Sequence, residues 1–124
     1  KSEEKLNKGL SKLNDLKEAS KDLDVRPDSE GYQDLMLAFD LEASIVSSEA
    51  TLVSALNRKE SRGAHQREDF KDLDSNENVN IKVELAKEKD LKLTKEKTPK
   101  IEKNLQSLID KTKEIRNFEG MLLE

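Results

Sequence analysis

Between Ser2 and Leu23, apolar residues Leu6, Leu10, Leu13, Leu16 and Ala19 recur every three or four positions, with charged and polar residues between them. That interval is the period of an α-helix, so these side chains form one narrow stripe and the charges face water. Gly9 costs such a helix about 1 kcal/mol relative to alanine without moving the stripe. The pattern predicts a helix over about residues 2–23 that touches one neighbour at a time. It breaks at "DVRPDSEG", residues 24–31. There Pro27 pushes Arg26 out of helical angles, and Asp28, Ser29 and Gly31 are turn or N-cap residues.

A second pattern runs from about Tyr32 to Arg62 with no Pro or Gly inside it. As a helix it would be about 45 Å long. Leu35, Phe39, Val46, Val53 and Leu56 mark one face, and Met36, Leu37, Leu41, Ile45, Ala50 and Leu52 widen the apolar surface beyond a stripe. Ala38, Ala43, Ser47 and Ala55 leave room for close backbone approach. Such a helix, over 32–62, needs partners on more than one side.

After a polar stretch, "IKVEL" and "LKLT" alternate apolar with polar residues around "AKEKD". They predict a short hairpin over about 81–95, with a charged linker as the alternative. A last helix is expected over about 100–118, with Ile101, Leu105, Leu108, Ile109 and Ile115 on one face. Thr98 is placed to cap it, Pro99 suits its first position, and Gly120 ends or kinks it.

Composition narrows the class. Of the 124 residues, 33% are apolar and 40% charged, with three Phe, one Tyr and no Trp. One domain of this size buries about two-thirds of its unfolded surface. Narrow stripes on charged helices suit that lean supply, whereas a buried parallel sheet needs long apolar runs. The expected class is all-α. Net charge is −4, from 23 basic and 27 acidic residues with interspersed signs. Without a basic block or an aromatic ladder, nucleic acid is not an expected partner. No run approaches the roughly 18 apolar residues that span a bilayer. The absence of cysteine excludes disulfides and thiolate ligation by these residues. Because the chain opens at Lys1 without a methionine, it is expected to be part of a longer polypeptide.

Candidate chemistry is sparse. The four glycines are isolated, so neither a dinucleotide fingerprint nor a phosphate loop can be written. A zinc site would have to combine His65 with carboxylates. Acid–base work by His65 with Glu68 or Asp69 lacks a neighbouring nucleophile or apolar cleft. "DLDSNENVNIKV", residues 72–83, places Asp72, Asp74 and Asn76 as a calcium loop would. It has Glu77 where that loop turns on Gly and Val83 where it needs Glu. No catalytic residue, metal or cofactor is therefore expected within the chain. "RKESRGAHQREDF", Arg58 to Phe70, reads as a helix end. Arg58 and Arg62 would lie in the last turn, where cations meet the negative end of the dipole, and Gly63 would close it in the left-handed conformation. His65 and Arg67 would then donate to the last carbonyls or to Glu60, Glu68 and Asp69. A guanidinium also suits bidentate docking on a carboxylate of another domain. The corner is expected to be both cap and dock.

The same stretch resembles the signature of the C-terminal helical domain of the succinate dehydrogenase and fumarate reductase flavoprotein subunit. L-aspartate oxidase shares that domain but usually carries Leu where His65 stands. A weaker likeness runs from the first helix to about Asn80. Here the signature is followed by "KDLDSNENVNIKV", which lacks the family's Pro, Trp and His. The resemblance implies a spectrin-repeat-like, up-and-down helical bundle with the short hairpin inserted. It implies a parent FAD-dependent oxidoreductase, cytoplasmic and peripheral to a membrane, that interconverts succinate and fumarate. Expected partners are the flavin-binding domain of the same polypeptide and an iron–sulfur subunit. Ser61, Arg62, Gly63, Ala64, His65, Arg67 and Asp69 match the signature as structural and docking residues, and Arg58 joins them from the helix-end pattern.

The resemblance also implies a further helix upstream of Ser2. Without it, the apolar surface of residues 35–56 is expected either to drive weak homodimerisation or to be filled by the last helix. The alternative function is a stand-alone helical-bundle interaction module.

Overall fold

The computed structural model describes residues 1–27, 32–86 and 90–121, with side chains described as far as residue 113. Along the chain come α1 (Glu3–Ala19), a 3₁₀ turn (Ser20–Asp22), α2 (Gln33–Asn57), a second 3₁₀ turn (Ser75–Glu77), β1 (Val79–Leu85), β2 (Leu91–Lys97) and α3 (Lys103–Met121). The fold is mostly helical, as expected, and the short hairpin expected as an insertion is present as one two-stranded antiparallel sheet. The turns expected at Asp28, Ser29 and Gly31, and the Ile115 side chain, lie outside the described residues.

Ser2 caps α1, its hydroxyl accepting the Lys5 N–H at 3.3 Å, and Glu3 and Glu4 face the positive end of the dipole. The predicted stripe is used selectively: Leu6 and Leu13 are buried, whereas Leu16 is 56% exposed. After Ala19 the helix tightens into the 3₁₀ turn and stops at Asp22. α1 and α2 pack antiparallel. Gly9 lies beside Leu52 at one end of the pair, and Leu23 lies with Ala38 and Leu41 at the other. Ile45 and Ala55 are the buried side of α2.

The strands pair from Val79↔Lys97 to Leu85↔Leu91, wider than the 81–95 span, and Ala86 N–H donates to the Asp90 carbonyl at 2.8 Å. Val79, Ile81 and Val83 are half-buried and alternate with exposed Asn80, Lys82 and Glu84. β1 packs on α2, where Leu85 shares a shallow groove with Phe39 and Val46.

Three expected boundaries are corrected. α2 ends at Asn57, not Arg62, because the residues after it are drawn into ion pairs that a continuing helix could not make. α3 begins at Lys103, so Thr98 and Pro99 do not start it; Thr98 N–H instead extends the hairpin, donating to the Asn78 carbonyl at 3.2 Å. Gly120 lies inside the helical span, which continues to Met121.

The last helix does not fill the gap on α2 either. Residues 101–113, the part of α3 and its approach whose side chains are described, are all exposed. Met36, Leu37 and Phe39 are more than 60% exposed.

Candidate functional site

Residues Arg58–Asp74 form an irregular corner at the C-terminal end of α2. Gly63 takes φ +55, the left-handed region glycine enters without steric cost. It does so at the tip of a tight turn and not as a helix cap. Arg62 N–H donates to the His65 carbonyl at 2.9 Å, His65 N–H returns a bond to the Arg62 carbonyl at 3.0 Å, and Gln66 Nε2 donates to the Gly63 carbonyl at 2.7 Å.

Glu60 sits at the centre and is fully enclosed. Its Oε1 accepts from Arg58 Nη1 at 2.7 Å and Arg62 Nε at 2.8 Å, and its Oε2 accepts from Arg62 Nη2 at 3.1 Å and Asp74 N–H at 2.9 Å. The Arg62 hydrogen bond does most to hold this carboxyl down to about 2, outweighing desolvation, with Arg58 and the Asp74 N–H adding to it. Arg58 also reaches the hairpin, donating from Nη2 to the Val79 carbonyl at 2.8 Å.

Arg67 forms a second centre. It is 2% exposed and forks onto Asp69, with Nε to Oδ1 and Nη2 to Oδ2 both at 2.7 Å. Its Nη1 donates to the Ala55 carbonyl at 2.7 Å and lies 3.3 Å from the Arg58 carbonyl. One guanidinium thus satisfies carbonyls that the end of α2 leaves without partners. The Phe70 ring lies 5.0 Å from it, within cation–π range. Asp69 is held well below the usual carboxylate range, chiefly by the Arg67 fork, and its Oδ2 also accepts the Glu3 N–H at 2.8 Å. Glu68 is lowered first by its hydrogen bond with Lys5 Nζ, at 2.7 Å, and its N–H donates to the Lys1 carbonyl at 2.6 Å. Ser61 is buried, its hydroxyl accepting the Arg67 N–H at 2.9 Å and donating to the Phe70 carbonyl at 2.7 Å.

The corner therefore ties the start of α1, the end of α2, the 72–74 loop and β1 into one hub. The structure brings Arg58, Ser61, Arg62, Arg67 and Asp69 together in it; Gly63 shapes the turn between them. His65 is half-buried at the turn. Burial is the main cause that lowers its pKa, opposed by a hydrogen bond to the Arg58 backbone, and its Nε2 is buried without a partner among the described residues. Glu60 and Phe70 were not among the expected docking residues. Their signal in the sequence was only position: an acid between Arg58 and Arg62, and an aromatic closing the motif. Asp74 spends its carboxylate on the Asn76 N–H at 2.8 Å. Among the described residues, no group of three or more His, Cys, Asp or Glu side chains could hold a metal ion.

A model of the fumarate reductase flavoprotein C-terminal region matches residues 1–113. The chain belongs to that family. Related sequences agree with the assignment. The chain is 39% identical over 66 residues to one subunit of the CoM/CoB fumarate reductase of Methanothermobacter marburgensis, covering 52% of this chain and 12% of that one. It is 40% identical over 67 residues to the fumarate reductase flavoprotein subunit of Proteus vulgaris, covering 53% and 11%. Among solved structures, a mutant FrdA chain of E. coli quinol fumarate reductase superposes with a TM-score of 0.75 at 28% identity, covering 83% of this chain and 18% of that one. The matched stretch of this chain thus spans about a tenth of the length of these curated relatives. Among the described residues no helix is long and apolar enough to cross a membrane.

Proposed function

We propose that this chain is the C-terminal accessory domain of an FAD-dependent flavoprotein subunit that interconverts succinate and fumarate. The family match over residues 1–113 carries the proposal, and the closed hydrogen bonding of the corner supports a structural role over a catalytic one. FAD and the dicarboxylate are held by the rest of the polypeptide, and the domain is inactive by itself. It packs on the flavin-binding domain through the outer side of the corner. Docking falls to Arg62, whose side chain keeps 35% of its surface, and not to Arg67, which is enclosed within the chain. The subunit pairs with an iron–sulfur protein on the cytoplasmic side, peripheral to a membrane. In its finer architecture the domain is a spectrin-like bundle whose third helix comes from outside α1 and α2.

The gene sequence ahead of Lys1 tests this most directly: a flavin-binding region in frame is expected, and a different kind of domain there would overturn it. In the encoded enzyme, Arg62→Ala should lower the temperature at which FAD is released while leaving the 124-residue chain folded. Flavin binding or fumarate reduction by the 124-residue chain alone would also refute the assignment.

A further inference from the structure

We infer that the tip turn Arg62–His65 is an acid-sensitive latch: the His65 ring holds it shut while neutral and opens it on taking a second ring proton. The latch rests on this chain alone and not on the flavoprotein assignment.

His65 is the only histidine in the sequence, and it closes the turn built on Gly63. Reciprocal backbone bonds, Arg62 N–H to the His65 carbonyl and His65 N–H to the Arg62 carbonyl, pair the two residues across the turn. The ring hydrogen-bonds the Arg58 backbone, which ties the turn to the end of α2. Its Nε2 is enclosed and has no partner among the described residues. A neutral imidazole tolerates that arrangement, because one nitrogen donates and the other is a bare acceptor. The imidazolium does not, since both nitrogens then donate and a buried charged donor needs an acceptor.

The charges that bear on the ring come from three segments and are all positive: Lys1 ahead of α1, Arg58 after α2, and Arg67 across the corner. Lys1 Nζ stands 3.5 Å from the Ala64 carbonyl, within the same turn. Neither arginine is free to give way. Arg58 is held by Glu60 and the Val79 carbonyl, and Arg67 by the Asp69 fork and the Ala55 carbonyl. The carboxylates of the corner are engaged as well. Glu60 accepts from Arg58, Arg62 and the Asp74 N–H, Asp69 is shared between Arg67 and the Glu3 N–H, and Glu68 is paired with Lys5.

The turn is the part that yields. Beyond its backbone pair it is held by Gln66 Nε2 on the Gly63 carbonyl at 2.7 Å, and nothing lies within 4 Å of a Cβ placed at Gly63. Opening carries the ring to water and leaves the Arg58 carbonyl to Arg67 Nη1, 3.3 Å away. So few bonds open locally before the chain unfolds as a whole. The folded ring holds its second proton less tightly than an unfolded histidine does. Its contribution is therefore complete above 6.5 and is lost as pH falls through the lower folded value. Arg62 begins the turn, so opening displaces the side chain assigned above to docking. That consequence rests on the proposed function, and a failed latch leaves the proposed function as it stands.

Nuclear magnetic resonance of the 124-residue chain tests the latch, because the single histidine gives one ring signal to titrate. The ring is expected to titrate below 6.5. Across that titration, exchange of the Arg62 and His65 amides, corrected for the intrinsic effect of pH, should quicken by about tenfold or more. The Ser61 amide on the Asp72 carbonyl and the amides of α1 should stay protected. His65→Gln and His65→Leu, which cannot take the proton, should each remove that step. Lys1→Glu withdraws a cation at an exposed position and should move the midpoint up. A ring that titrates at or above 6.5, a midpoint unmoved by Lys1→Glu, or a step that persists in the His65 variants overturns the inference. So does a titration that leaves the Arg62 and His65 amides unchanged, or one in which every amide loses protection together.

Discussion

Arg67→Ala removes the contact that closes the end of α2. The lost charge-assisted bond to the buried Ala55 carbonyl, 2.7 Å long, is worth about 1.5–3 kcal/mol, because the carbonyl is left without a donor. The stacking on Phe70 at 5.0 Å adds about 1 kcal/mol. The Asp69 fork adds less than its geometry suggests, since the Asp69 side chain remains 29% exposed and solvent replaces part of it. A total loss of about 3–4 kcal/mol follows, against about 5–15 kcal/mol for a whole domain. The variant should still fold, melting roughly 12–16 °C lower at about 4 °C per kcal/mol for a chain of this size. Urea unfolding followed by circular dichroism measures the loss directly. Arg67→Lys keeps the charge but not the fork, and a single ammonium cannot serve Asp69 and Ala55 together, so it should recover less than half. Hydrogen exchange should show the Glu3 amide losing protection in Arg67→Ala, because Asp69 is no longer aimed at it. A loss below about 1 kcal/mol, or full recovery by lysine, would refute the role given to this guanidinium.

Gly63→Ala should cost about 1 kcal/mol through its positive φ alone, since no atom lies within 4 Å of the added methyl; Gly63→Asn should recover most of that in thermal melts. Gly9→Ala should stabilise by up to about 1 kcal/mol in urea titration. The new Cβ meets Leu52 Cδ2 at 3.3 Å, the movable tip of a half-buried side chain, so helix propensity outweighs the contact. Acid should unfold the chain through its carboxylates. Glu60 has a folded pKa of about 2 against an ordinary 4.5, so its contribution is complete above about 4.5 and is lost as pH falls through 2. Asp69 and Glu68 shift in the same direction. Stability measured against pH should therefore drop most steeply below 4.5, and Glu60→Gln should be weaker at neutral pH with a shallower acid limb.

Periodicity was enough to locate α1, α2 and the alternating strands, because burial of one face demands a repeat of 3.6 or 2 whatever the neighbours are. It failed at the helix ends. "RKESR" after Asn57 contains no helix breaker, so local preference extends α2 through it. The chain leaves the helix there because Glu60 reaches four donors only in the irregular path. Pro99 looked like a helix start for the same reason: it permits one locally, whereas the preceding Thr98 amide is already taken by Asn78.

The sequence alone determined the helical character, the lack of cysteine chemistry and the signature that marks the family, since each depends on residue type and spacing within one segment. Tertiary structure decided that Arg67 points inward, that Glu60 is the centre of the corner, and that β1 packs on α2. Those outcomes depend on which segments meet. A buried charge takes whichever partners the folded chain brings within about 3 Å: beside near neighbours two residues away, Glu60 takes the Asp74 N–H and Arg67 the Ala55 carbonyl, which only the folded path brings to them.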